Sequence, residues 1–169
     1  MKPRRVLVVE DGHEYSEAFT NLASAPLGEV VFERAGSLAE ARSAIDARRP
    51  DAVFIDVVFD RAPEAALAGD IDGLIARFGG DRGRALRHLA ESQGFYVLDA
   101  LAPLVAGLPV VLAYDFSAEP RRLEALRERV PLLSGLPDGI SIARALDALL
   151  PGVPAATPPP SSTRSQGLG

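Results

Sequence analysis

Val6-Leu7-Val8-Val9 running straight into Glu10-Asp11, and Ala52-Val53-Phe54-Ile55 running straight into Asp56, decide the fold. Both are apolar runs of strand length without polar alternation, as in parallel strands covered on two faces. Working outward, Tyr15, Ala18, Phe19 and Leu22 recur at helical spacing, and Val30-Val31-Phe32 reads as a second strand. Ser37 is placed to cap a helix with Leu38, Ala41 and Ile45 on its inner face, and Pro50-Asp51 stops that helix. Leu108 to Ala113 supplies a fourth strand. Leu123, Leu126 and Val130 mark the next helix, Pro131 to Ser134 a short fifth strand, and Ile142, Ala145, Leu146 and Leu149 a last helical stripe. Strands alternating with helices in this way predict an α/β fold, a doubly wound five-stranded parallel sheet.

About fifty residues separate the third and fourth strands, where a crossover needs far fewer, so a helical insertion is expected at about 60–92. Asp70 to Phe78 places Ile71, Leu74, Ile75 and Phe78 on one helical stripe, each worth roughly 1.5–3 kcal/mol if fully buried. Gly79-Gly80 breaks that helix, and a single second helix is expected from about Gly83 to Val105. The first helix either folds back on Leu86 and Leu89 or offers its stripe to a partner or a second copy of the chain. Arg82, Arg84, Arg87 and His88 share the polar side of the second helix, a solvated face or a surface for an acidic partner. Residues 1–150 read as one domain, and 151–169, with five Pro, three Gly and three Ser, as a disordered tail.

The chain has 169 residues, 47% hydrophobic, and its 18 Lys and Arg against 23 Asp and Glu leave a net charge of −5. That balance argues against broad nucleic-acid binding, and no apolar run is long enough to span a membrane. A cytoplasmic protein is expected. There is no Cys, which excludes disulfides and thiol chemistry. Lys2 is the single lysine, the other basic residues being Arg.

In a doubly wound sheet, ligands bind beyond the carboxyl ends of the strands. Glu10, Asp11 and Asp56 all fall there, and if the first and third strands are neighbours their carboxylates suit Mg²⁺, a hard cation that leaves positions for phosphate oxygens. Helix capping is the plainer role for Asp11 or Asp56 taken singly.

The stretches Arg5 to Gly12, Phe32 to Ala41 and Pro50 to Asp56, with Gly94 and Leu108 to Leu112, together resemble the receiver domain of two-component response regulators. The resemblance covers residues 4–59 and about 93–150. It implies a flavodoxin-like strand order 2-1-3-4-5, Mg²⁺ held by Glu10, Asp11, Asp56 and the Val58 carbonyl, and Asp56 as phosphoryl acceptor. The implied partners are a histidine kinase or phosphotransfer protein and a downstream protein target. Three positions depart from the family pattern. Tyr114 stands where a Thr or Ser ends strand four, Leu136 where a lysine precedes a Pro, and Leu133 where strand five carries an aromatic. Tyr114 either offers its phenol to the site as an altered switch or packs beside strand four.

Asp70-Ile71-Asp72-Gly73 matches the core of haloacid-dehalogenase-type phosphatases but lacks the preceding strand, so Asp70 reads as a helix cap. Gly79 to Gly83 lacks the Gly-Lys-Ser/Thr ending of a phosphate loop and reads as a turn. His13 is expected in a first helical turn facing water. The sequence therefore leads to a stand-alone, non-enzymatic receiver, or alternatively to an unphosphorylated pseudo-receiver that works as an interaction module.

Overall fold

The computed structural model describes residues 3–23, 30–135 and 142–150; the tail expected at 151–169, and Leu136, lie outside them. Five strands, β1 (Arg4–Val9), β2 (Val30–Ala35), β3 (Ala52–Asp56), β4 (Val110–Ala113) and β5 (Leu133–Gly135), form one parallel sheet in the order 2-1-3-4-5. Helices α1 (Glu14–Ala23) and α7 (Ile142–Leu149) cover one face. The other is covered by α2 (Leu38–Ala47), α5 (Gln93–Leu101) and α6 (Pro120–Arg129).

The period of two along each strand sorts the core into two layers. Val6, Val8 and Phe54 pack with Phe19 of α1 and Ala145, Leu146 and Leu149 of α7. Leu7, Val9, Val53, Ile55 and Leu112 pack with Ile45 of α2 and with Val97, Leu98 and Leu101 of α5. Ser37 caps α2 as expected, accepting the Glu40 N–H at 3.2 Å, and Glu40 returns a carboxylate to the Gly36 N–H at 2.7 Å. At the amino edge of the sheet the buried Arg5 donates to Glu33 at 2.6 Å and to the Ala44 carbonyl at 3.0 Å.

The insertion holds a short 3₁₀ turn (Glu64–Ala66) and helices α3 (Ile71–Arg77) and α4 (Arg82–Glu91). Its stripe folds back on the chain: Leu74, Ala85 and Leu89 form a separate small core edged by Ile71, Ile75 and Phe78. Ala85, rather than Leu86, is the buried partner of Leu89. Asp70 caps α3 through Gly73 N at 2.9 Å, and Gly79 and Gly80 take the positive φ values, 66° and 88°, that end it.

The single helix expected from Gly83 to Val105 is two helices, broken at Ser92. The cause is a close approach to the end of β3. Gly94 N donates to the Val57 carbonyl at 3.0 Å, Phe59 N donates to the Ala90 carbonyl at 2.9 Å, and a Cβ on Gly94 would lie 2.3 Å from the Asp56 carbonyl oxygen. Gln93, fully buried, exchanges two hydrogen bonds with the Ala68 backbone, at 2.6 and 2.8 Å. α5 thus becomes the crossover helix, and α3 and α4 are held outside it.

Candidate functional site

The register pairs Val9 with Ile55, so Glu10 and Asp56 leave adjacent strands side by side at the carboxyl edge. Asp56 is half-buried there. Loss of water pushes its carboxyl up from 3.8 to about 6; the Val57 and Val58 N–H groups pull it down, and the charges of Asp11 and Glu10 raise it further. Asp11, Asp56 and Val58 line one open cleft of about 320 Å³. Val58, 44% exposed, is the apolar part of its wall.

Glu10 does not join them. It continues the Val6 and Val8 face of β1, toward α1, and its two carboxylate oxygens accept Tyr15 N at 3.0 Å and Ser16 N at 2.8 Å. These are unpaired amides of the first turn of α1, at the positive end of the helix, which is why a carboxylate only 1% exposed is tolerated there. Among the described residues no three acidic side chains form a group able to hold a metal. The helix cap is therefore Glu10, whereas capping was expected of Asp11 or Asp56.

Asp11 is also engaged, through one oxygen: Oδ2 accepts Arg61 N at 2.6 Å and Ala62 N at 2.9 Å, tying the loop after β3 to the loop after β1. Arg34 of β2 fixes the acidic loop from the other side, donating to the Asp11 carbonyl at 2.9 Å and to the Gly12 carbonyl.

Four further residues reach the cleft that the sequence did not single out for it: Glu14, Tyr15, Asp60 and Arg61. Arg61 pairs with Glu14 and lies 4.0 Å from Asp60. The Tyr15 ring packs on Phe54, with 4.6 Å between centroids, and burial together with the Asp56, Glu10 and Glu14 charges pushes its phenol up to about 12, so it remains a neutral donor. The acidic neighbours of Tyr15 were visible in the sequence, but the loop carrying Arg61 has no periodicity to place it.

Tyr114 is not on the cleft. It stands beside β4 in an aromatic cluster, 5.2 Å from Phe95 and 4.8 Å from Phe116 between centroids, and its hydroxyl donates to Glu119. That hydrogen bond raises the phenol's pKa and lowers that of the carboxyl. Arg122 covers the cluster, 3.8 Å from the Phe95 centroid. The altered-switch position therefore faces Glu119, and the packing alternative describes its surroundings.

Solved structures with the same architecture include signal receiver domains. The receiver domain of Francisella response regulator 1452 matches with a TM-score of 0.54 at 15% identity, over 86% of this chain and 93% of that one. The chain has the receiver-domain fold. The receiver domain of NtrX from Brucella abortus matches with a TM-score of 0.52 at 19% identity, over 85% of this chain and 97% of that one. The beryllofluoride-activated NtrC receiver domain gives 0.52 at 16% identity, over 88% and 93%. No family model and no curated protein matches the chain. On the receiver fold, the sequence-predicted Asp11, Asp56 and Val58 meet at one cleft, while Glu10 and Tyr114 are directed elsewhere.

The basic residues of α4 are partly satisfied within the insertion. Arg82 pairs with Glu64, Arg84 lies 4.8 Å from the Phe78 ring centroid, and His88 meets the same ring edge-on at 5.4 Å. Arg84 and Arg87 are exposed. His13 is exposed just before α1.

Proposed function

We propose that the chain is a response-regulator-type signal receiver whose Asp56 accepts a phosphoryl group from a phosphohistidine of a kinase or phosphotransfer protein. The observation that carries this reading is a half-buried carboxylate at the end of the central strand, opening with Asp11 onto one open cleft of a receiver fold. An Asp56 oxygen attacks phosphorus; a P–O bond forms as the P–N bond to the donor imidazole breaks, and the imidazole nitrogen keeps the electron pair. No redox partner is required. Asp56 must be ionised to attack, which its pKa of about 6 allows at neutral pH.

The donors fit Mg²⁺ in kind, two carboxylates and a main-chain carbonyl matching the one or two carboxylates this ion takes. Asp11, Asp56 and Val58 would hold it, Glu10 standing behind as a helix cap, and when bound it supplies positive charge beside the phosphoryl oxygens. The chain has no turnover of its own in this reading. It works in the cytoplasm and passes on its state by contact. The exposed Arg84 and Arg87, with His88, are assigned to an acidic partner protein.

Incubating the protein with Mg²⁺ and acetyl phosphate, then measuring intact mass, tests the proposal. One phosphoryl group should appear on wild type and none on Asp56→Asn. The engagement of Glu10 and Asp11 by backbone amides favours a second reading, an interaction module that is never phosphorylated. Wild type without label under these conditions would decide for it.

A further inference from the structure

Phosphorylation of Asp56 would replace its single carboxylate charge with a phosphoryl group carrying about two, in a cleft already lined by Asp11, Glu14 and Asp60. Among the residues described as lining it, one is basic: Arg61. The Asp11 carboxylate holds the Arg61 and Ala62 amides, so the backbone of Arg61 is fixed at the rim. Its side chain crosses Gly12, where a Cβ would lie 2.6 Å from a guanidinium nitrogen and 2.0 Å from a Glu14 carboxylate oxygen, so the pair lies directly over the backbone of the acidic loop. The Arg61–Glu14 ion pair is itself exposed, 59% on each side, and such pairs are weak.

We infer that Arg61 is a phosphoryl-binding residue, leaving Glu14 to place its guanidinium on the oxygens of a phosphoryl group at Asp56. This rests on Asp56 being the acceptor. A guanidinium carries a fork of N–H donors that matches two phosphoryl oxygens, and a dianion is a stronger partner than one solvated carboxylate. Glu14 holds the guanidinium in reserve, and the main-chain tie to Asp11 keeps it within the cleft in either state.

The test follows the initial rate of Asp56 labelling by acetyl phosphate with Mg²⁺ in the full chain, together with the lifetime of the label after the donor is removed. Arg61→Ala should slow labelling by about tenfold or more and shorten the lifetime, with an unchanged melting temperature because the side chain is exposed. Arg61→Lys, which keeps the charge but loses the fork, should fall between. Glu14→Gln frees the guanidinium and should accelerate labelling. If wild type is labelled on Asp56 and Arg61→Ala matches it in both rate and lifetime, the role of Arg61 is refuted while the acceptor stands. If wild type takes no label, the acceptor assignment fails and the role of Arg61 falls with it.

Discussion

At Asp56 the loss of water and two neighbouring carboxylates oppose ionisation, while two backbone amides favour it, and the balance leaves the carboxyl at about 6 instead of 3.8. The fold therefore prefers the protonated form. Its contribution to stability is fully present below about pH 4 and is lost as pH rises through about 6. A shift of about two units, discounted for partial exposure, corresponds to about 2 kcal/mol. With a chelator present, urea denaturation should show Asp56→Asn equal to wild type at low pH and about 2 kcal/mol more stable near neutrality. A stability difference that does not change with pH would contradict this. Glu10 and Asp11 show how much of a site adjacent acids can hide. Both stand at the strand end, and their adjacency alone does not separate their roles. The alternation Val6, Val8, Glu10 did contain the cue, since it places Glu10 on the α1 side of the sheet, where its oxygens meet unpaired amides. For Arg61 no such cue exists, because its place depends on a main-chain tie to Asp11 from fifty residues away in sequence.

β1, β3 and β4 were legible from their short apolar runs, whereas the fifth strand, expected at Pro131 to Ser134, lies at Leu133–Gly135, and the register that sets Asp56 beside the end of β1 follows from parallel pairing. The break in the helix pair α4 and α5 was not. The apolar spacing of Leu86, Leu89, Val97 and Leu101 continues across it, and only the tertiary approach of Gly94 to the end of β3 interrupts the helix. A side chain at Gly94 would meet backbone atoms at 2.3 and 2.7 Å, which cannot rotate away. Gly94→Ala should cost about 2 kcal/mol despite the better helix propensity of Ala, and it should slow Asp56 labelling by displacing the strand end. Gly83→Ala is the matched control, since its nearest neighbour is the Asp81 carboxylate at 3.5 Å, and it should be neutral or stabilise by up to about 1 kcal/mol. Thermal and urea unfolding of the two variants checks the pair, and equal effects would deny that the close approach breaks the helix.

Over the whole molecule, a two-layer core supports the site and a third, smaller core closes the insertion on itself. Gln93 joins the two parts through both of its hydrogen bonds to Ala68. Gln93→Leu leaves the Ala68 N–H and carbonyl without those partners, at a cost of about 2 kcal/mol, and should speed amide exchange across α3 and α4 while the strands keep their protection. Uniform loss of protection in the sheet would mean that the insertion and the body unfold as one unit. The residues proposed for phosphoryl transfer are nonetheless confined to one edge: Asp56, the Asp11 tie and the Arg61 guanidinium all sit where β1 and β3 end. Locating the phosphoryl group tests this arrangement most directly. After treatment with acetyl phosphate and Mg²⁺, borohydride reduction converts an aspartyl phosphate to homoserine, and peptide mass mapping then reads its position. Homoserine at residue 56 alone is the predicted result, and an unmodified Asp56, or a label at any other carboxylate, would contradict it.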